Sequence, residues 1–482
     1  MLTKFQDYAS LQGHEISSDY TDSDETWEQI TAWMKSCKSH ETCTDGSLWQ
    51  NKTAKVMPTR LLELAHGESH PLVKLVKTAH IKVADISYAT LSHCWGSSLP
   101  VKLLTSLVED FSSGISWASL SRTFRDTIMT TLKLGIRYLW IDALCIIQDS
   151  NDDWTYEAAT MAGVYTNSYL CIAADASEDG SKGLFRQRSP NRLRSFIVPH
   201  QKSAVNRSGS VIYTDRWWTS VLDSPLASRA WSVQERFLAP RVLHFAGEEV
   251  HWECTRLFTA ESLPVSFNTI PANKHIIRKS LLQLDLPAEH RKKALYQTWY
   301  QLVSAYSSGE LTFTSDRPIA IAGLARIFCQ LLELPDSAYL CGIFRPRLEH
   351  DLMWYSQFKW TTPPETIRVA DVPSWSWLSI CARIWIYTGR LVGDTDTDSL
   401  ITAEVVRAIS TPCHDVFGPV KSSELTLRAP LCQTIIRRDD RPSAHDREDH
   451  TYVIHVNGSL LREDEHFMFR PDDTTILACA KY

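Results

Sequence analysis

The 482-residue sequence has no apolar run as long as a membrane-spanning helix requires, and its first residues, MLTKFQDYASLQGHEISSDY, are polar and acidic where a secretion signal carries an apolar core. The expectation is a cytoplasmic protein without a membrane span. A basic excess is also missing: 50 Lys plus Arg stand against 56 Asp plus Glu, a formal charge of -6, so no overall positive field draws in nucleic acid. None of the 12 cysteines sits in a C-x-x-C pair. Several, such as Cys145 in LCII and Cys171 in YLCIAA, lie in apolar runs and read as reduced core thiols. Walker G-x-x-x-x-G-K, dinucleotide G-x-G-x-x-G and nucleophile-elbow G-x-S-x-G motifs are absent, which removes the common ATP, Rossmann and hydrolase readings. No internal repeat is present.

What remains is a folding chain. A hydrophobic fraction of 44% with 22% charged residues is ordinary for globular proteins, and this length allows two or three domains with separate cores. From Tyr88, YATLS is short, apolar and β-branched, and gives way to the small and polar SHCWGSS, as a strand does on leaving a sheet. Ser121 offers an N-cap to a helix bearing Phe124, Ile128 and Leu132 at four-residue spacing, with Gly135 as its stop. Residues 138–141, YLWI, are apolar without alternation, as expected of a strand covered on both faces. Asp152 is the expected cap of a second helix with Trp154, Ala158, Met161 and Tyr165 on one face, and YLCIAA follows as a third strand.

Strands alternating with single helices predict an α/β fold with a central, mainly parallel sheet and flanking helices. Ligands bind outside the carboxyl ends of such strands, which would place residues 92–97 and 142–148 at the binding edge. Residues 179–206, rich in Ser, Arg, Gly and Pro, read as an exposed excursion with solvated basic side chains. A helix at 231–238 and strands in RVLHF and EVHWE complete the first domain. LYQTWYQLVSAYSSG and RPIAIAGLARIFCQLLEL read as helices, followed by the Trp-rich VPSWSWLSI and a β-rich tail that includes a mixed-charge loop at 437–450. The expected organisation is an N-terminal helical and loop region (1–80), the α/β domain (81–255) and a C-terminal α+β region (256–482).

Three blocks resemble, in order, the signature of the fungal heterokaryon-incompatibility (HET) domain: YATLSHCWG from Tyr88, TFRDTIMTTLKLGIRYLWIDALCIIQDSNDDWTYEAATMAGVYTNSYLCIAA from Thr123, and SRAWSVQER from Ser228. WMKSCKSHETC, PTRLLEL, HWEC, YSSGELTFTSDRPIAIAGLAR, YLCGIF, LMWY and PSWSWLSI also resemble full-length members, so the likeness covers most of the chain. The family usually has an aromatic where His93 stands and a Pro where Ser121 stands. The resemblance implies an effector of self/non-self recognition and programmed cell death in fungi, working by self-association or with another incompatibility or signalling protein. HET domains in turn resemble Toll/interleukin receptor (TIR) domains, flavodoxin-like α/β folds of which some cleave NAD with one glutamate in a W-x-x-E pattern. Trp154 and Glu157 have that spacing, so the resemblance implies Glu157 as catalytic residue and NAD as substrate, with no cofactor required. A non-enzymatic signalling or scaffold module is the other implication of a fold-level likeness.

Each candidate residue carries a functional and a structural reading. A carboxylate at Glu157 would stabilise the oxocarbenium character that develops on ribose as nicotinamide leaves, or would merely favour the positive end of its helix. Asp142, Gln148 and Asp149 suit sugar or phosphate binding, or loop capping. Ser92, Trp95 and Gly96 would let a ligand approach and stack, or form a packed Trp beside a turn Gly. Arg229 would hold an anion while Gln234 and Glu235 face the cleft, or pair with a neighbouring acid. Cys145 is disfavoured as a nucleophile, since apolar surroundings raise a thiol's pKa and His93 offers no assured partner. Cys37, His40 and Cys43 are spaced suggestively for zinc, but on one continuous helix the third points away from the first and no fourth ligand is evident, so no metal is expected.

Overall fold

The computed structural model of the chain describes residues 16–40, 43, 56–82, 86–96, 101–193, 218–262, 287–356, 368–369, 372–386, 404–413 and 415–428, and the backbone of strands at 434–439, 451–456 and 459–460. Contacts divide the chain into Met1–Asp336 and Ser337–Tyr482. Ser97, residues 194–206 of the expected excursion and 440–450 of the mixed-charge loop lie outside the described residues.

An eight-stranded sheet organises the first unit. Its strands are β1 (Arg60–Ala65), β2 (Leu72–Lys77), β3 (Tyr88–Ser92), β4 (Tyr138–Trp140), β5 (Leu170–Ala173), β6 (Arg241–Phe245), β7 (Val250–Cys254) and β8 (Phe258–Ala260). They lie in the order β2-β1-β4-β3-β5-β6-β7-β8. The central four, β4-β3-β5-β6, are parallel, and β1 with β2 and β7 with β8 close the two sides as antiparallel borders. The expected α/β character and the parallel pairing of Tyr88–Ser92 with Tyr138–Trp140 are present, in the register Tyr88 to Tyr138 and Thr90 to Trp140. Every residue of β3 to β7 is buried, as unbroken apolar strands should be when both sheet faces are covered. The N-terminal region supplies strands as well as a helix. In β2, Val73 and Leu75 point inward while Leu72 and Lys74 are exposed, a short alternation suited to a half-covered border.

Among the described residues, the helices of nine residues or more are α1 (Asp24–Cys37), α2 (Arg122–Lys133), α3 (Asn151–Thr166), α4 (Ala230–Leu238), α5 (Ala288–Ser307) and α6 (Arg317–Leu331). The Ser121 hydroxyl caps α2 by accepting from the Phe124 N–H, and Gly135, at φ +73°, lets the chain turn into β4. Four buried threonines, Thr123, Thr127, Thr130 and Thr131, lie on α2, and two of their hydroxyls donate within the helix, Thr127 to the Thr123 carbonyl and Thr131 to that of Thr127, both at 2.7 Å. The cap of α3 is Ser150, whose Oγ accepts from Asp153 N at 3.3 Å, and not Asp152. Asp152 stands in the first turn, exposed, where its charge faces the helix's positive end.

The crossover from β3 through α2 steps to one side of β3, and the crossover from β4 through α3 returns over β3 to reach β5. Right-handed crossovers of opposite direction put their helices on opposite sheet faces. On the α3 face, α3, α4, α5 and α6 pack into one layer. Gly323 of α6 marks the closest approach: a Cβ there would stand 2.3 Å from Ala162 Cβ and 2.5 Å from Gln234 Oε1. Trp299 and Phe328 join the same layer, ring centroids 5.4 Å apart.

The second unit contains the antiparallel pairs β9 (Tyr339–Leu340) with β10 (Ile343–Phe344), β11 (Trp354–Ser356) with β12 (Ile384–Ile386), and β13 (Glu404–Pro412) with β14 (Val420–Arg428). Fully buried Trp377, from the Trp-rich stretch, donates its indole N–H to the Gly342 carbonyl at 2.8 Å. No helix of the described residues is long and apolar enough to cross a membrane.

The approach at Gly323 makes a direct test. Gly323→Val must displace either Ala162, a rigid Cβ, or Gln234, and is expected to cost about 2–3 kcal/mol by overpacking. Urea unfolding of both proteins measures it, and an unchanged midpoint would contradict the packing of α6 on α3 and α4.

Candidate functional site

The parallel strands reverse their order of addition around β3, and a doubly wound sheet opens a crevice at such a switch point, outside the carboxyl ends of its strands. Ser92 ends β3, Asp142 follows β4, and Asp175 follows β5. The candidate site is built there.

Ser92 Oγ donates a short hydrogen bond to Glu235 Oε2, joining β3 to α4. Glu235 is only 2% exposed, and burial raises its pKa to about 7 against the opposing pull of the Arg229 cation and the Ser92 hydroxyl. The Tyr165 hydroxyl, from α3, reaches Glu235 and also lies 3.2 Å from the Leu91 carbonyl. Arg229, just before α4, donates from Nη1 to the His93 carbonyl, fixing the guanidinium over the end of β3.

His93 is buried, set edge-on to Phe124 at 5.2 Å. Burial lowers its pKa to about 4, with Asp142 opposing, so the ring is neutral at neutral pH. Its Nδ1 lies 3.8 Å from Asp142 Oδ1, and its Nε2 meets no hydrogen-bond partner among the described residues. Half-buried Trp95 donates from Nε1 to Asp142 Oδ2 at 2.9 Å, while Asp142 Oδ1 accepts from the Ala143 N–H at 2.7 Å. An indole and a carboxylate are thereby held together where the site meets solvent.

The other sequence candidates do different jobs. Gly96 takes φ +67°, and a Cβ there would fall 2.2 Å from Asp179 Cβ, so glycine serves the approach of two loops. Gln148 donates to the carbonyls of Asp142 (3.1 Å) and Ile146 (3.0 Å), holding its own loop, and Asp149 accepts from Thr105. Trp154 is half-buried on α3. Gln234 does not face the cleft with Glu235. The turn of the helix between them sends it toward Gly323.

Glu157 is not at a cleft rim. It is 1% exposed, with Arg60 Nη2 3.6 Å from its Oε1, and Arg60 also binds Asp153 and the Cys145 carbonyl. Burial raises its pKa, with Thr59 and Arg60 opposing. The reason is positional: α3 turns its Glu157 face down onto β1, a strand not expected from the sequence. Ser92, Trp95, Asp142 and Arg229 are brought together, while Glu157, Trp154 and Gln148 stand apart from the Ser92–Glu235 contact. Cys145 is fully enclosed and burial pushes its thiol up to about 12, which keeps it unreactive.

A second buried network adjoins the site. His244 Nδ1 lies 3.0 Å from Asp175 and Nε2 3.3 Å from Glu253, whose Oε2 accepts from Arg236 at 2.7 Å. Burial lowers the His244 pKa, but Asp175 and Glu253 outweigh it and the net shift is upward.

Of the seven side chains of the first cluster, Ser92, His93, Trp95, Asp142 and Arg229 fall at or next to the ends of β3, β4 and α4, while Tyr165 and Glu235 come from within α3 and α4. Residues 88–235 match the family model described as Heterokaryon incompatibility protein (HET). The chain carries a HET domain. The match begins at the first residue of β3 and ends at Glu235, so the Ser92–Glu235 contact links its opening and closing segments. No curated protein and no solved structure matches the chain. Within the HET domain, Tyr165 and His93 were legible in sequence only as a core aromatic and an uncertain partner. Glu235 was read together with Gln234 as facing the cleft, and of the two it is Glu235 that reaches Ser92.

The raised pKa of Glu235 fixes a pH dependence. A folded value of about 7 against 4.5 for the free group means that the folded state holds the proton more tightly, so stability from this group is complete below about 4.5 and is lost as pH rises through 7. The loss is on the order of 3 kcal/mol. Chemical denaturation from pH 4.5 to 7.5 should show that component in the wild type and its absence in Glu235→Gln; parallel profiles would contradict it.

Proposed function

We propose that this protein is an effector of fungal heterokaryon incompatibility whose HET domain cleaves NAD at the carboxyl ends of β3, β4 and β5. The observation that carries the reading is the convergence of Ser92, His93, Trp95, Asp142, Arg229 and Glu235 at the switch point of the sheet. Two carboxyl groups stand there in contrasting surroundings, one buried and one at the solvent edge, a pattern that separates their roles.

In the proposed reaction the bond between nicotinamide and ribose breaks, and its electron pair stays with the nicotinamide nitrogen, which becomes neutral. Asp142, held by two N–H donors, stabilises the oxocarbenium character left on the sugar. Water adds to the sugar carbon and loses its proton to the carboxylate or to solvent. Trp95 offers a face for stacking, and Arg229 offers a cation for the pyrophosphate. Glu235 holds Ser92 and the end of β3 in place. This assignment moves the working carboxylate from Glu157, which is occupied by Arg60, to Asp142.

Nicotinamide release by purified, assembled protein tests it. Asp142→Asn should lower release by about 100-fold or more, the usual cost of removing a group that stabilises developing charge. Loss confined to Glu157→Gln would return the role to that residue. Growth arrest on expression that persists in Asp142→Asn, with no NAD consumed by any of the proteins, would instead make the HET domain a signalling or scaffold module.

A further inference from the structure

Helix α1 ends at Cys37, so Cys37, His40 and Cys43 do not continue along one helix. Backbone bonds from His40 N to the Cys37 carbonyl (3.2 Å) and from Cys43 N to the His40 carbonyl (2.9 Å) curl the chain back on itself. This brings the three side chains to one point. The fourth member comes from far along the chain: Cys254, the last residue of β7.

The Sγ atoms of Cys37, Cys43 and Cys254 and a ring nitrogen of His40 all lie within 4.8 Å of one another. His40 Nδ1 is 3.7 Å from both Cys43 Sγ and Cys254 Sγ. Zinc–sulfur and zinc–nitrogen bonds in a tetrahedron place neighbouring donor atoms roughly 3.6–3.8 Å apart. A disulfide would instead join two of the sulfurs at about 2 Å and leave the third thiol and the imidazole over. All three cysteines are free and buried.

We infer that Cys37, His40, Cys43 and Cys254 form a structural zinc site that fastens α1 to the antiparallel border of the sheet. Three soft thiolates and one imidazole select zinc over magnesium or calcium, and four protein ligands in a buried position leave no open coordination place for catalysis. The surroundings supply what bound thiolates require. Leu257 N–H donates to Cys254 Sγ at 3.2 Å, Thr255 Oγ1 lies 2.8 Å from Cys43 Sγ, and Arg241 Nε donates to Cys37 Sγ at 3.3 Å. Zinc with three thiolates carries one net negative charge, which the Arg241 guanidinium balances. Arg241 also donates to the Cys43 carbonyl at 2.7 Å, so the same side chain shapes the loop that carries two of the ligands.

The site answers a mechanical need. The first turn of α1 is held by Thr26, whose hydroxyl donates to Glu261 at 2.7 Å beside the buried Arg188–Glu261 pair. The last turn has the four-ligand cluster in the corresponding place, so α1 is fixed at both ends.

Metal analysis of the full-length protein, expressed with zinc supplied and purified under reducing conditions, tests this. One zinc per chain is expected, falling to background in Cys254→Ser, whereas His40→Cys, which offers four thiolates, should retain it. Cobalt(II) replacement in the wild type provides a reading that does not depend on the folding of Cys254→Ser: tetrahedral d–d bands with a thiolate-to-cobalt charge-transfer band are expected. Wild type without zinc, an octahedral cobalt spectrum, zinc retained in folded Cys254→Ser, or a disulfide joining two of the three thiols would each overturn the inference.

Discussion

Burying the carboxyl group of Glu235 is the constraint around which the HET domain is arranged. An ionisable acid taken out of water needs donors and a counter-charge, or it must hold its proton. Here it receives the Ser92 hydroxyl from β3, the reach of Tyr165 from α3 and the field of Arg229 from the start of α4. Those residues come from the first, second and third sequence blocks respectively. The three blocks thus share one buried acid, and moving any of their elements would take one of its partners away, which costs more than the pairing itself contributes.

The same requirement shapes the edge that faces solvent. Arg229 cannot leave the Glu235 field without releasing the His93 carbonyl, and His93 is enclosed by Phe124 and kept neutral by burial. Trp95 and Asp142 then lock each other at the open side. The site is held rigidly by sheet and helix ends and not by long loops, which suits a function that depends on placing a carboxylate beside a ligand.

Parallel strands need both faces covered, and a sheet needs its borders closed. The layer of α3, α4, α5 and α6 covers one face, with Gly323 allowing the helices to meet closely. The borders β1–β2 and β7–β8 carry buried ion pairs: Arg60 with Asp153 and Glu157 on one side, Arg188 with Glu261 on the other. Glu157 therefore belongs to the closing of a border, although its spacing from Trp154 suggests chemistry. Arg188 departs likewise from expectation. It lies in a segment whose composition reads as solvated, yet its guanidinium is wholly enclosed because Glu261 offers a charge of opposite sign.

The sequence by itself determined the parallel core. Unbroken apolar runs at Tyr88–Ser92 and Tyr138–Trp140, a serine cap at Ser121 and a glycine stop at Gly135 are local signals, written within a few residues of where they act. It also marked Ser92, Trp95, Asp142 and Arg229, since strand ends are where an α/β sheet binds ligands. Tertiary structure alone decided which side chains meet. Whether Glu157 or Glu235 faces the strand ends depends on helix rotation against β1 and β3, and whether Cys37, His40 and Cys43 have a fourth companion depends on β7 arriving beside α1. Those contacts join residues far apart in the chain, and nothing in the spacing of either partner records the other.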